Sequence, residues 1–215
     1  MTISKFYETD VKNIANERSA KLIIKSMLVN KSIQFPAFLT SFSQTFTSNW
    51  NEEEVYGRMD PIATFQNTRR SISVSFDLPA ANFNVAQDNL EKCDMLAKFL
   101  YPGYKKQTEI GPAKKKKDKK TENSNISELG NVISRPPLVG VKFANLIGGG
   151  MASQLGYLSG LEWTPVLEMG MFTDTNKFFP KVISLSFTLN VLHQADKGWD
   201  ESGEWIKKSS PFFSL

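Results

Sequence analysis

The chain has 215 residues, of which 40% are hydrophobic and 12% aromatic, enough to form a substantial core. No apolar run reaches the roughly 18 residues of a membrane-spanning helix, so we expect no membrane insertion. The net charge is +4, but residues 114–120 (KKKKDKK) contribute +5, which leaves −1 for the rest of the chain. This distribution weakens a general nucleic-acid-binding interpretation, because phosphate binding needs basic charge spread over a folded face.

The compartment is indicated by the cysteine content and the first residues. Cys93 is the only cysteine, so an intrachain disulfide cannot form, and this fits synthesis in a reducing cytosol. The start of the chain, MTISKFYETD, lacks the basic and apolar regions of a signal peptide. We therefore expect synthesis in the cytoplasm.

The first elements read as a β-hairpin. Residues 22–28 (LIIKSML) predict a strand, a turn follows at Asn30, and residues 33–47 predict a second strand. Pro36 marks a strand start, a sheet edge or a bulge, because proline cannot donate a ladder hydrogen bond. The second strand carries phenylalanines of one parity at positions 38, 42 and 46.

Residues 51–70 read as a long charged loop that leads into an alternating strand at residues 68–78. The loop opens with three glutamates at 52–54, and Gly57 is expected to adopt a backbone angle that other residues resist. In the strand, one face is apolar and the other is small and polar, which indicates a half-buried sheet. The apolar face is Ile72, Val74, Phe76 and Leu78; the polar face is Ser71, Ser73, Ser75 and Asp77.

The one clear helix is predicted at about residues 85–101. Asn84 with Gln87 fits a capping box, and Pro102-Gly103 stops the helix. Cys93 lies on the apolar stripe, so we interpret it as a small buried hydrophobic residue. The stripe consists of Ala86, Leu90, Cys93, Ala97 and Leu100.

The second half begins with a segment of different composition. Residues 105–134 hold the lysine run and lack apolar periodicity, which predicts a flexible insertion inside one domain spanning residues 1–215. Strands are predicted at residues 138–146, 157–169 and 181–192. The last strand contains ISLSFTL at 183–189, which matches ISVSFDL at 72–78 in five of seven positions.

Residues that could carry chemistry are sparse. His193 is the only histidine, and no Cys/His cluster suits zinc. Neither a P-loop nor a dinucleotide-binding glycine pattern is present, and the acidic loop residues do not follow EF-hand spacing. A hydrolase would need a clustered acid/base set. We therefore predict an α+β, mainly antiparallel β protein that is not an enzyme and that uses no cofactor or metal.

Three segments carry a resemblance to a known family. VYGRMDP at residues 55–61, FQNTRR at 65–70 and the alternating strand after them are the specific part, and His193 with GWD at 198–200 supports it. Over about half its length the chain resembles baseplate and tail-tube proteins of contractile-tailed bacteriophages. The lysine-rich insertion and the triple glycine at 148–150 are outside this resemblance.

The resemblance implies a structural virion protein with a tail-tube-like β-sandwich or barrel and a flanking helix. Six protomers would form a ring at the baseplate that joins the hub to the tail tube, nucleates tube assembly and surrounds the DNA channel. The partners would be further copies, other baseplate, hub and tail-tube proteins, and DNA in transit. The alternatives are a repeating tail-tube subunit and a nucleic-acid-binding protein that uses the loop from Lys114 to Lys120.

Two sets of site residues follow as hypotheses. The channel would be lined by the polar strand faces, because hydroxyl groups are hydrated and let DNA slide; the candidates are Ser73, Ser75, Ser184 and Ser186. Contacts between subunits would use the charged loop and the C-terminal aromatics, since arginine pairs well with carboxylates. The interface candidates are Tyr56, Arg58, Asp60, Arg69, Arg70, Phe212 and Phe213.

Overall fold

The computed structural model describes residues 21–36, 38–107, 129–148, 153–174 and 177–206. Within them the first half of the chain forms β1 (Lys21–Ser26), β2 (Ser32–Pro36), β3 (Phe38–Glu53), β4 (Ile62–Pro79) and helix α1 (Phe83–Lys98). The second half forms β5 (Gly103–Gln107), β6 (Leu129–Arg135), β7 (Val139–Phe143), β8 (Gln154–Pro165), a 3-10 helix (Leu167–Met169), β9 (Met171–Asp174), β10 (Lys177–Pro180) and β11 (Val182–Val191).

Seven of these strands form one antiparallel sheet in the order β2-β1-β7-β8-β11-β4-β3. Two further two-stranded sheets pair β5 with β6 and β9 with β10. The predicted fold class, mainly antiparallel β with one α-helix in the described residues, is confirmed.

The large sheet curls so that its two edges meet at one corner. Its edge strands β2 and β3 are separated by the single residue Ala37, so their ends lie within about 7 Å of each other. Phe35 of β2 also contacts Phe76 of β4, with ring centroids 5.6 Å apart. No ladder joins β2 to β3 in the described ranges, so the sheet surrounds a core but does not close into a barrel.

The core fills the concave side of this sheet. The two matching strand segments pair with each other in antiparallel register, with Ile72 opposite Leu189 and Leu78 opposite Ile183. Their apolar side chains all point inward and are buried, as the alternation predicted. The hydrophobic core that these side chains form also includes Cys93 and residues from β1, β2 and β7.

Helix α1 covers the core beside β10 and β2. The capping prediction is wrong by two residues: Asn82 is the N-cap, and its side chain accepts a 2.9 Å hydrogen bond from the Val85 backbone N–H. The helix ends at Lys98, three residues before the predicted end. The stripe is also shifted, since the buried residues are Ala86, Asn89, Cys93 and Leu96, while Leu90, Ala97 and Leu100 are half-buried.

Two predictions about strand extent are wrong. The hairpin between β1 and β2 is confirmed, but residues 38–47 belong to β3 at the opposite edge of the sheet. The predicted long loop at residues 51–70 is mostly strand, because β3 extends to Glu53 and β4 begins at Ile62. Only residues 54–61 connect the two strands.

The ends of the predicted flexible insertion are paired. Residues 103–107 and 129–135 form the β5–β6 ladder, and the lysine run at 114–120 lies outside the described residues. The hairpin of β9 and β10 was not predicted. In the part of the chain that the structure describes, no helix is long and apolar enough to cross a membrane.

Candidate assembly surface

The outer half of the β3–β4 hairpin, residues 46–69, projects away from the core; we call it the arm. Beyond Arg70 the two strands continue as seven opposed residue pairs, from Thr47–Arg69 to Glu53–Ile62. At about 3.3 Å per residue this ladder extends roughly 23 Å. Every arm residue is exposed apart from the half-buried Asn49. The arm therefore contributes little to the core of its own subunit.

The arm carries an aromatic stripe that a β-bulge creates. Asn49 lies opposite Asn67 but Trp50 lies opposite Phe65, so Gln66 is the extra residue. Because successive strand residues point to opposite faces, the bulge moves Phe65 onto the same face as Trp50. The two rings meet edge to face with centroids 5.2 Å apart. Phe46 extends this stripe back towards the core, and all three side chains remain about half exposed.

The tip of the arm is a tight turn. The Arg58 N–H donates a 3.2 Å hydrogen bond to the Val55 carbonyl, and Gly57 has φ = 89°, as the sequence predicted. A positive angle at the third position identifies a type II turn, which favours glycine there. Tyr56 lies within this turn and Met59 directly follows it, with relative exposures of 105% and 103%. Both side chains therefore stand entirely in solvent.

The tip is also acidic. Residues 52–60 contain four carboxylates and one arginine, a net charge of −3. All of these residues are exposed. An apolar tip surrounded by carboxylates would fit a surface that is both apolar and basic.

Arg69 and Arg70 are placed very differently, although both were interface candidates. Arg69 is exposed on the arm. Arg70 is 4% exposed, and its Nε and Nη2 donate to Gln44 Oε1 at 3.1 and 2.7 Å. Its guanidinium also lies 5.6 Å from the Phe46 ring centroid. Arg70 therefore fixes the base of the arm within its own subunit, and its role as an interface residue stays a prediction.

The arm has open strand edges as well. Within the described residues, β11 pairs with β4 only from Ser71 onward, and β3 is an edge strand along its whole length. Unpaired edges offer backbone donors and acceptors to another chain. An isolated two-stranded ribbon is marginally stable in water. Both facts favour an arm that is covered by a partner.

The convex face of the sheet is lined by hydroxyl groups. Ser75 lies opposite Ser186, and Ser73 Oγ lies 3.1 Å from Thr188 Oγ1. Ser184 donates to the Asp77 carboxylate, so the four channel-lining candidates share one face. Ser73 is exposed and the other three serines are half-buried. The structure places the four serines on one face of the paired strands, and their lining of a channel stays a prediction.

The segment after β11 is held by a polar turn. Asp200 accepts hydrogen bonds from Ser202 Oγ at 2.7 Å and from the Glu204 N–H at 2.9 Å, and these bonds lower its carboxyl pKa. Trp199 and Trp205 pack edge to face above the turn, with ring centroids 5.3 Å apart. The GWD motif therefore has a structural role in this turn.

Two further groups, His193 and Cys93, have pKa values shifted by their surroundings. Desolvation, with the positive charges of Lys197 and Arg70, lowers the pKa of His193 and favours its neutral form. Burial raises the pKa of the Cys93 thiol to about 11, and the side chain is 6% exposed, as predicted for a core residue. Among the described residues, no three His, Cys, Asp or Glu side chains are grouped to hold a metal ion.

Sequence reasoning identified part of this surface. Tyr56, Arg58, Asp60 and Arg69 are exposed on the arm, whereas Phe212 and Phe213 lie outside the described residues. The aromatic stripe was missed, because the bulge at Gln66 puts Phe65 out of phase with the strand that follows it.

Comparison of the chain with protein-family models finds no match, and comparison with curated proteins finds none either. The functional interpretation therefore depends on the arm, the hydroxyl face and the sequence resemblance.

Proposed function

We propose that the chain is a structural subunit of a contractile phage tail. Six copies form a ring at the baseplate, join the hub to the tail tube, nucleate tube assembly and surround the channel through which DNA passes. The observation that carries this proposal is the arm: a long exposed ribbon with an aromatic stripe and open edges that no described strand of its own subunit pairs with.

The energetics of the arm support an assembly role. Ordering a residue costs about 1–2 kcal/mol of backbone entropy, which a core-facing strand offsets by burying apolar surface. The arm residues have no such burial in the single chain. Contacts with neighbouring subunits would supply it, since exposed aromatic side chains are the typical anchors of protein interfaces.

The hydroxyl face supports the position of the sheet in a channel wall. Its central strands, β4 and β11, present serine, threonine and asparagine outward, with Asp77 as the only charged residue between positions 71 and 79 or 182 and 191. A hydrated face without cations would not hold DNA phosphates, because tight phosphate binding needs lysine or arginine. Such a face suits passage of DNA rather than its retention.

The test is electron microscopy of the native tail with the chain located in the map. A single ring between hub and tube, with the hydroxyl face turned inward, is the expected result. A chain that recurs in every ring would show a repeating tube subunit instead. A position away from the tube axis, or salt-dependent DNA binding lost on removal of residues 114–120, would overturn the proposal.

A further inference from the structure

A second exposed surface lies where the β1–β2 turn meets the β5–β6 hairpin; we call it the basic patch. The Leu28 side chain packs against Gly103, so closely that a Cβ there would lie 3.0 Å from Leu28 Cδ1. The Met27 N–H donates a 3.0 Å hydrogen bond to the Leu138 carbonyl, which fixes the turn beside the start of β7. The exposed side chains of the patch are Met27, Val29 and Lys31 of the turn, Arg135 beside the Gly103 contact, and Tyr104 and Ile133, which are paired on one face of the hairpin.

The charged side chains of the patch, Lys31 and Arg135, are both basic. Residues 21–36, 99–107 and 129–148 contain seven lysines and arginines and neither aspartate nor glutamate. The patch therefore combines apolar side chains with positive charge along these described stretches. The arm tip combines the apolar Tyr56 and Met59 with a net charge of −3. Both surfaces therefore present apolar side chains, and their charges are opposite.

The two surfaces lie at opposite ends of the sheet. β4 runs from the arm tip towards Pro79, and the alternating antiparallel pairings through β11, β8 and β7 make β1 run in the same direction. The turn after β1 is therefore at the end away from the arm. A tip cannot reach the patch of its own chain across the length of the sheet, but it can reach the patch of a neighbour.

We infer that the acidic arm tip of one subunit docks on the basic patch of a second copy of the chain. This inference rests on the proposed function, because it names the partner and the receiving surface for the arm. The contact joins unlike surfaces, so it is heterologous, and repeated contacts of this type form a ring when the rotation between subunits closes. Tyr56 and Met59 would cover Met27, Val29 and Tyr104, while the carboxylates face Lys31 and Arg135.

The experiment is a charge reversal on each surface of the full-length chain. The variants are E53K/E54K at the tip, K31E/R135E at the patch, and E91K/E168K as a control with the same charge change as the tip variant on exposed residues elsewhere. Association is measured by sedimentation velocity at low and high salt, and folding by circular dichroism. Each tip or patch variant is expected to weaken self-association about tenfold or more, while the control assembles like the wild type.

The decisive measurement mixes the tip variant with the patch variant. The reversed tip carries lysines and the reversed patch carries glutamates, so the mixture is expected to regain association that neither variant shows alone. Wild-type assembly is expected to weaken as salt increases. If both variants assemble like the wild type, the docking site is wrong while the assembly function stands. A wild-type chain that remains monomeric at every concentration would overturn both.

Discussion

The inner and outer halves of β4 are one continuous strand with two different environments. From Arg70 to Pro79 the strand buries alternate side chains in the core, whereas from Ile62 to Arg69 every residue is exposed. The inner half pairs with β11 and β3, and the outer half pairs with β3 alone. The inner half therefore serves folding, and under the proposed function the outer half serves association.

The largest difference in unfolding free energy between the two halves of β4 is expected when one phenylalanine in each half is replaced by alanine. Phe76→Ala removes a fully buried ring that contacts Phe35 and Phe187, and should lower the free energy of unfolding by about 3–5 kcal/mol. Phe65→Ala removes an exposed ring and one edge contact with Trp50, so it should cost about 1 kcal/mol or less. Urea denaturation followed by circular dichroism measures both.

Phe65→Ala, which should have little effect on stability, is expected to affect assembly. Phe65→Ala should weaken association in sedimentation experiments, although the subunit stays folded. Equal losses of unfolding free energy in the two variants would contradict the division of the strand.

The adjacent arginines give a second, smaller comparison. Arg70→Met removes two charge-assisted hydrogen bonds to Gln44 and leaves the amide oxygen without these donors, so we expect a loss of about 2–3 kcal/mol in unfolding free energy. Arg69→Met changes an exposed side chain and should stay within about 0.5 kcal/mol of the wild type. Chemical denaturation of the two variants side by side checks this, and similar stabilities would show that Arg70 does not fix the arm base.

The smallest effect concerns backbone strain at two glycines. Gly57 and Gly160 both have positive φ, and a Cβ added at either would meet no atom within 4 Å. Alanine at each position therefore introduces the same strain, about 1–2 kcal/mol. Gly160→Ala lies within β8 and should lower the thermal midpoint. Gly57→Ala should leave the midpoint unchanged and instead increase proteolysis at residues 54–61. A lower midpoint for Gly57→Ala would show that the tip folds cooperatively with the core.

The sequence predicted those elements whose burial leaves a local pattern. The alternation at residues 72–78 and 183–189 identified the two central strands and their buried faces, and helical spacing identified α1. The arm left no such pattern, because neither face is buried and the bulge at Gln66 interrupts the alternation. A strand exposed on both sides and a charged loop therefore look alike in sequence.

Other differences from the sequence predictions have equally local causes. Asn82 and Asn84 are both good N-cap residues two positions apart, and only the structure shows which side chain accepts from the helix. Arg70 and Arg69 are neighbours of the same type, so their opposite placement depends on strand parity at the end of the core. The strand order, which puts β2 and β3 at opposite edges, depends on pairings between distant segments that periodicity does not encode.

The most direct measurement uses a chain without the arm. Ser48 lies directly opposite Thr68, so residues 49–67 can be replaced by Asn-Gly, the residues favoured in a two-residue hairpin turn. Sedimentation velocity and urea denaturation of this variant test whether the arm serves assembly alone. If the arm serves assembly alone, the shortened chain is a folded monomer with a denaturation midpoint close to that of the wild type, and it forms no rings. Rings of wild-type size formed by the shortened chain would contradict this role of the arm.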